Sequence, residues 1–171
     1  MSTTITQSLL PEFDVEIANT RKTLERVPEN KPDFRPHPKS MTLARLAGHL
    51  AELPQWAAMT LENDELDINP QGAAPMVAYV MTSRQEALAK FDEHVKKART
   101  LLTSTTDEAM MRPWTLKNAG QTVMALPKVA IMRSFFMNHM VHHRAQLGVY
   151  LRMNDVPVPS IYGPSADEGR M

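Results

Sequence analysis

Proline placement limits this chain more than any other feature, because proline removes a backbone donor and is poorly tolerated inside helices. The 13 prolines in 171 residues fall mostly in clusters. Pro28, Pro32, Pro36 and Pro38 form one, Pro70 and Pro75 a second, Pro113 and Pro127 bracket a third, and Pro157, Pro159 and Pro164 mark an irregular end. Between these joints apolar residues recur at three- and four-residue intervals, the period of an amphipathic helix. Leu10, Phe13, Ile17, Thr20, Leu24 and Val27 form the first stripe, with Pro11 near its start. Leu43, Leu46, Leu50, Leu53 and Ala57 form the second, after a Ser40 or Thr42 cap and with Pro54 as a kink. The third opens on the capping-box sequence Ser83-Arg84-Gln85-Glu86 and continues through Leu88, Phe91, Val95, Ala98 and Leu102. The fourth starts at Pro127 and carries Val129, Met132, Phe136, His139, His143, Gln146 and Tyr150.

Four such stripes predict an all-α fold, a four-helix bundle with helices over residues 5–27, 42–63, 84–104 and 127–153 and an irregular tail over 154–171. The whole of 1–171 reads as one domain. Bundle turns are typically about 2–8 residues; the connections here are longer, which implies that some of them cross the bundle. From Trp114 to Val123, β-prone residues alternate around Asn118 and Gly120, so a short β-hairpin is expected before the last helix.

Composition removes several function classes. Lys plus Arg and Asp plus Glu are equal at 19 each, so no strong field directs the chain to nucleic acid or to an anionic membrane. No apolar run approaches the roughly 18 residues of a membrane-spanning helix, and the N-terminal residues lack a basic segment followed by an apolar one. A cytoplasmic location without membrane or nucleic-acid partners is the expectation. With no cysteine, disulfides and a thiolate nucleophile are absent, and thiol chemistry would require an external thiol.

The fourth stripe includes two histidines, His139 and His143, four residues apart. That spacing puts both imidazoles on one helix face, one turn from each other. Buried imidazoles without partners cost roughly 1–3 kcal/mol each, and a shared ion would satisfy both. His49, beside the second stripe, is the best third ligand. Taken alone it would read as a hydrogen-bonded core histidine, and Gly48 next to it would permit close approach of a backbone or ligand. Three imidazoles suit zinc, nickel, copper or iron and leave coordination positions open, as catalytic sites do. His142 lies about 100° around the helix from His143 and falls at the margin of the site or on the surface. His37, among prolines, and His94, in a charged run, read as surface residues. No Glu precedes a His by three residues, and phosphate-loop, Gly-x-Ser-x-Gly and His-Glu-x-x-His motifs are missing. Di-iron chemistry, nucleotide hydrolysis, serine hydrolysis and zincin proteolysis therefore lack their usual residues. The 13 methionines read as core fillers.

Met41–Pro54, MTLARLAGHLAELP, and Asn138–Arg152, NHMVHHRAQLGVYLR, resemble the two signature stretches of the DinB-like, YfiT-type metalloenzymes, a family distinct from the translesion polymerase of similar name. The resemblance implies a four-helix bundle, a homodimer, and a nickel or zinc ion held by the residues at the motif positions, His49, His139 and His143. Relatives of this kind include transferases and isomerases that use a low-molecular-weight thiol. The expected activity is therefore a thiol-dependent S-transfer to a small electrophilic substrate. A metal-dependent hydrolase using the same ligands, and a non-catalytic metal-stabilised binding or stress-response module, are the alternatives. Glu52, one turn beyond His49, is the candidate base or ligand-orienting group; Trp56 and Tyr150 are candidate pocket walls.

Overall fold

The computed structural model describes residues 4–169. Helix α1 spans Ile5–Leu24 and begins with a complete capping box: Thr4 accepts from the Gln7 backbone, and the Gln7 side chain accepts from the Thr4 N–H. Pro11 lies inside this helix, not near its start. Helix α2, Leu43–Glu62, is capped by Thr42, and α3, Arg84–Ser104, by Ser83. In α3 only half of the expected box forms, because Glu86 takes the Thr82 hydroxyl instead of returning to the cap. A short helix α4, Asp107–Met111, follows on a Thr106 cap.

The segment after Pro127 is continuous but not uniform. One turn, α5 (Lys128–Ala130), leads into a π-helical stretch, Ile131–Asn138, and then into α6, His139–Met153. Wide turns of this kind are rare and concentrate at functional sites. Here Met132 and Phe136 enter the main core, while the adjacent Phe135 packs with Trp56 at the edge of a smaller one. The main core joins the apolar faces of the long helices, including Phe13 of α1, Leu46 and Leu50 of α2, Phe91 of α3 and Leu147 of α6.

The expected helical fold with a hairpin is extended by one unexpected strand. The fold is mostly helical, with a three-stranded sheet ordered β1-β2-β3. Strands β2 (Pro113–Asn118) and β3 (Gln121–Pro127) form the expected antiparallel hairpin, and β1 (Glu65–Asp67), from the connection after α2, pairs with β2 in parallel. Three residues are too few to show a periodicity, so β1 leaves no trace in the sequence pattern. Its Asp67 carboxylate accepts from the Ala119 and Gly120 N–H groups at 3.1 and 2.7 Å. Those residues have φ of 51° and 79°, the left-handed pair that a tight hairpin turn needs. Trp114, Leu116 and Ile131 fill the space beneath the sheet.

Buried Lys128 donates to Leu61 O and pairs with Asp64 at 2.9 Å, joining the end of α2 to the start of α5. The tail after α6 is ordered against α1 and α6. Tyr162 donates to Glu16 Oε2 at 2.6 Å, and Arg144, 3% exposed, pairs with the same carboxylate at 2.6 Å. Glu168 binds Lys22 and Arg26, and Asp167 binds Arg152. Among the described residues, no helix is long and apolar enough to cross a membrane.

Candidate metal centre

The three histidines meet although His49 and His139 are 90 residues apart in sequence. One nitrogen from each lies within 4.8 Å of the others. His49 Nε2 stands 3.3 Å from His139 Nε2, which stands 2.8 Å from His143 Nε2. Each opposite ring nitrogen faces an acceptor: Glu52 Oε1 for His49 at 3.1 Å, Phe135 O for His139 at 3.2 Å, and Gln146 Oε1 for His143 at 2.8 Å. Those acceptors assign the proton to Nδ1 in all three rings, which leaves three Nε2 lone pairs directed at one another.

Lone pairs at such distances repel unless a cation lies between them. Protonation of His139 or His143 is not the remedy at neutral pH. Burial pushes His143 down to about 4, and burial together with the neighbouring His49 lowers His139. A metal ion fits: nitrogens bound at about 2.0–2.1 Å stand about 3.3–3.4 Å apart in a tetrahedron and about 2.9 Å apart at a right angle. The observed pair distances, 3.3 and 2.8 Å, span those two cases.

The groups behind His49 form a closed network. Burial alone would raise the Glu52 carboxyl, but hydrogen bonds from His49 and the Tyr79 N–H and the charge of Arg45 hold it below the ordinary range. Its Oε1 also takes Arg45 Nη2 at 2.9 Å, its Oε2 takes the Tyr79 N–H at 2.8 Å, and Arg45 Nη1 donates to Tyr79 O at 3.0 Å. Glu52 is thus an ionised, saturated carboxylate that orients a ring, and a poor proton acceptor. The Tyr79 segment reaches these partners because Gly48 lets it cross α2: a Cβ there would lie 2.4 Å from Tyr79 O. Met81 N–H completes the crossing by donating to Ala44 O at 3.0 Å.

Beside His49 opens a cavity of about 190 Å³, with Arg45, His49 and Glu52 along one side and Trp56, Ile68 and Met76–Ala78 around the rest. Trp56, a candidate pocket wall from the sequence, lines this cavity and is in edge contact with Phe135, whose ring in turn meets His139. Tyr150 does not line this cavity; its hydroxyl donates to Met41 O at 3.1 Å and its ring packs against Phe34. His142 is exposed, edge-to-face with His143 at 4.9 Å, and outside the cluster. His37 is exposed, whereas His94 is half-buried against Ala51 O of α2 instead of lying on a solvated face. A larger cavity of about 410 Å³ between α6 and the tail touches none of the three histidines. Arg45, Gln146, Tyr79 and the Phe135 carbonyl were not anticipated as site residues. A repeated spacing could have disclosed two of the acceptors, since Glu52 and Gln146 each follow a clustered histidine by three residues.

The DinB superfamily profile matches residues 12–147. The chain belongs to the DinB superfamily. It is 26% identical over 161 residues to the uncharacterized protein YrdA of Bacillus subtilis, covering 93% of this chain and 89% of that one. Its fold is similar to a DinB-like protein from Bacillus cereus, with TM-score 0.67 and 20% identity over 95% of this chain and all of the other. A DinB-like protein of Bacillus subtilis, YjoA, matches with TM-score 0.65 and 16% identity, covering 96% of this chain and 99% of its own.

Proposed function

We propose that this protein is a divalent-metal-dependent enzyme in which His49, His139 and His143 hold one nickel or zinc ion. The proposed activity is thiol-dependent S-transfer: the sulfur of an external small thiol bonds to the electrophilic carbon of a small molecule, the bond from that carbon to its leaving group breaks with its electron pair, and the thiol proton ends on the departing group or in solvent. One observation carries the ligand assignment, the convergence of three Nε2 atoms whose partner nitrogens are all committed to acceptors. A bound divalent ion supplies a Lewis acid that favours the deprotonated thiol at neutral pH. The chain supplies no thiol of its own. Glu52, the one carboxylate along the cavity, is saturated, which favours an external nucleophile over a water activated by a protein base. Glu52 orients His49, Gln146 orients His143, and Trp56 with the Met76–Ala78 segment lines the cavity beside them. One domain built as a four-helix bundle, a homodimeric state and a cytoplasmic location complete the proposal; of these, the homodimer rests on family resemblance alone.

Elemental mass spectrometry of tag-free protein tests the ligand set. About one ion per chain is expected, lost in both His49→Ala and His143→Ala. Wild type that cannot be loaded with zinc, nickel, iron or manganese would overturn it. For the activity, turnover of thiol and electrophile should disappear in His143→Ala; undiminished turnover there would refute metal-assisted transfer.

A further inference from the structure

We infer that the cavity beside His49 selects a compact, uncharged apolar group, one ring or a short branched chain, as the part of the substrate it holds. This rests on the reading of the three histidines as the reactive centre. Size is the first argument: an apolar cavity of about 150 Å³ accommodates benzene, and this one measures about 190 Å³. It admits a single ring with a small substituent, and any larger thiol must remain mostly outside.

Charge is the second argument. The charged side chains along the wall are Arg45 and Glu52, paired at 2.9 Å. Arg45 also donates to Tyr79 O, and both Glu52 oxygens are occupied by His49, Arg45 and the Tyr79 N–H. A charged substrate group would have to compete with the Arg45–Glu52 pair for its partner and would forfeit its hydration. The remaining wall is Trp56, Ile68, Met76, Val77 and Ala78.

The third argument is exposure at the mouth. Val77 is 87% exposed and Met76 41% exposed, although the backbone on both sides is pinned, by Met76 N–H to Ile68 O at 3.0 Å and by Tyr79 N–H to Glu52 at 2.8 Å. A pinned segment presents these side chains in a defined place, where an apolar occupant against Trp56 would cover them.

The test uses the full chain and three probes that share one ring: benzyl alcohol, benzoate and benzylammonium. Titration calorimetry on chelator-stripped protein should show benzyl alcohol binding at least about tenfold tighter than either ion, because the two wall charges already neutralise each other and an entering ion loses its hydration. Ala78→Phe and Met76→Trp, which fill the cavity from its exposed rim, should each weaken that binding about tenfold or more while zinc uptake stays intact. Two variants guard against one failing to fold. Equal binding of an ion, or benzyl alcohol binding that neither folded variant alters, would overturn the inference, as would zinc uptake with no benzyl alcohol site. Benzyl alcohol binding without zinc uptake would support the cavity's selectivity and refute the metal reading, so the two failures are distinguishable.

Discussion

His139 and His143 bring their Nε2 atoms to 2.8 Å of each other while His139 Nδ1 is bound to Phe135 O and His143 Nδ1 to Gln146 Oε1. With both protons directed to these acceptors, two lone pairs face each other, and a bound cation relieves their repulsion. The stability and reactivity of the molecule should depend on that relief.

Stripping the ion with a chelator should therefore lower the thermal midpoint, and zinc or nickel should restore it. Ligands that bind only the folded state add about 2.7 kcal/mol at a hundredfold excess over Kd. Calorimetry of stripped and reloaded protein checks this. An unchanged midpoint in His143→Ala upon zinc addition is the matching expectation.

Glu52→Gln should weaken metal binding about 10- to 100-fold, the usual effect of removing a group that orients a ligand. The amide retains an acceptor but loses the charge on which Arg45, His49 and Tyr79 converge. Competition titration with a chromophoric chelator measures the change.

In metal-free protein, stability should fall as pH drops from about 6.5 toward about 4. An unfolded histidine takes up its proton near 6.5, whereas burial holds folded His143 down to about 4. Between those values the unfolded state binds more protons, so stability rises with pH and is lost on acidification. Urea unfolding across this range should show a shallower slope in His143→Gln.

Gly48→Ala should destabilise by about 1–3 kcal/mol, although the same change in an open helix interior stabilises by up to about 1 kcal/mol. The new Cβ would meet three backbone atoms of the crossing segment, Tyr79 O at 2.4 Å and Tyr79 C and Met81 N at 3.0 Å. Displacing that segment also loosens the Tyr79 bond to Glu52, so metal affinity should fall with stability. Denaturation and chelator competition on one sample measure both.

Particular residues show how far the sequence was legible. Thr42 and Ser83 cap the helices that follow them, and Asn118 and Gly120 flag the hairpin turn. The pairing of His139 with His143 is visible because it depends on helical spacing alone. The π-helical turns before them leave no mark in the sequence, because apolar periodicity barely distinguishes a π-turn from an α-turn over eight residues. Strand β1 was too short to register, and the tail, irregular in sequence, proved to be held by Tyr162 on Glu16.

By itself the sequence determined the long helical segments, the hairpin, the histidine pair on one face, and the absence of an internal thiol. Each follows from composition or from interactions between residues a few positions apart. Only the tertiary structure decided that His49 completes the cluster, that Glu52 bonds to His49 and to the Tyr79 N–H, and that the Tyr79 segment crosses α2 at Gly48. Those contacts join segments tens of residues apart, and their geometry comes from how whole helices and loops pack, which no local pattern encodes.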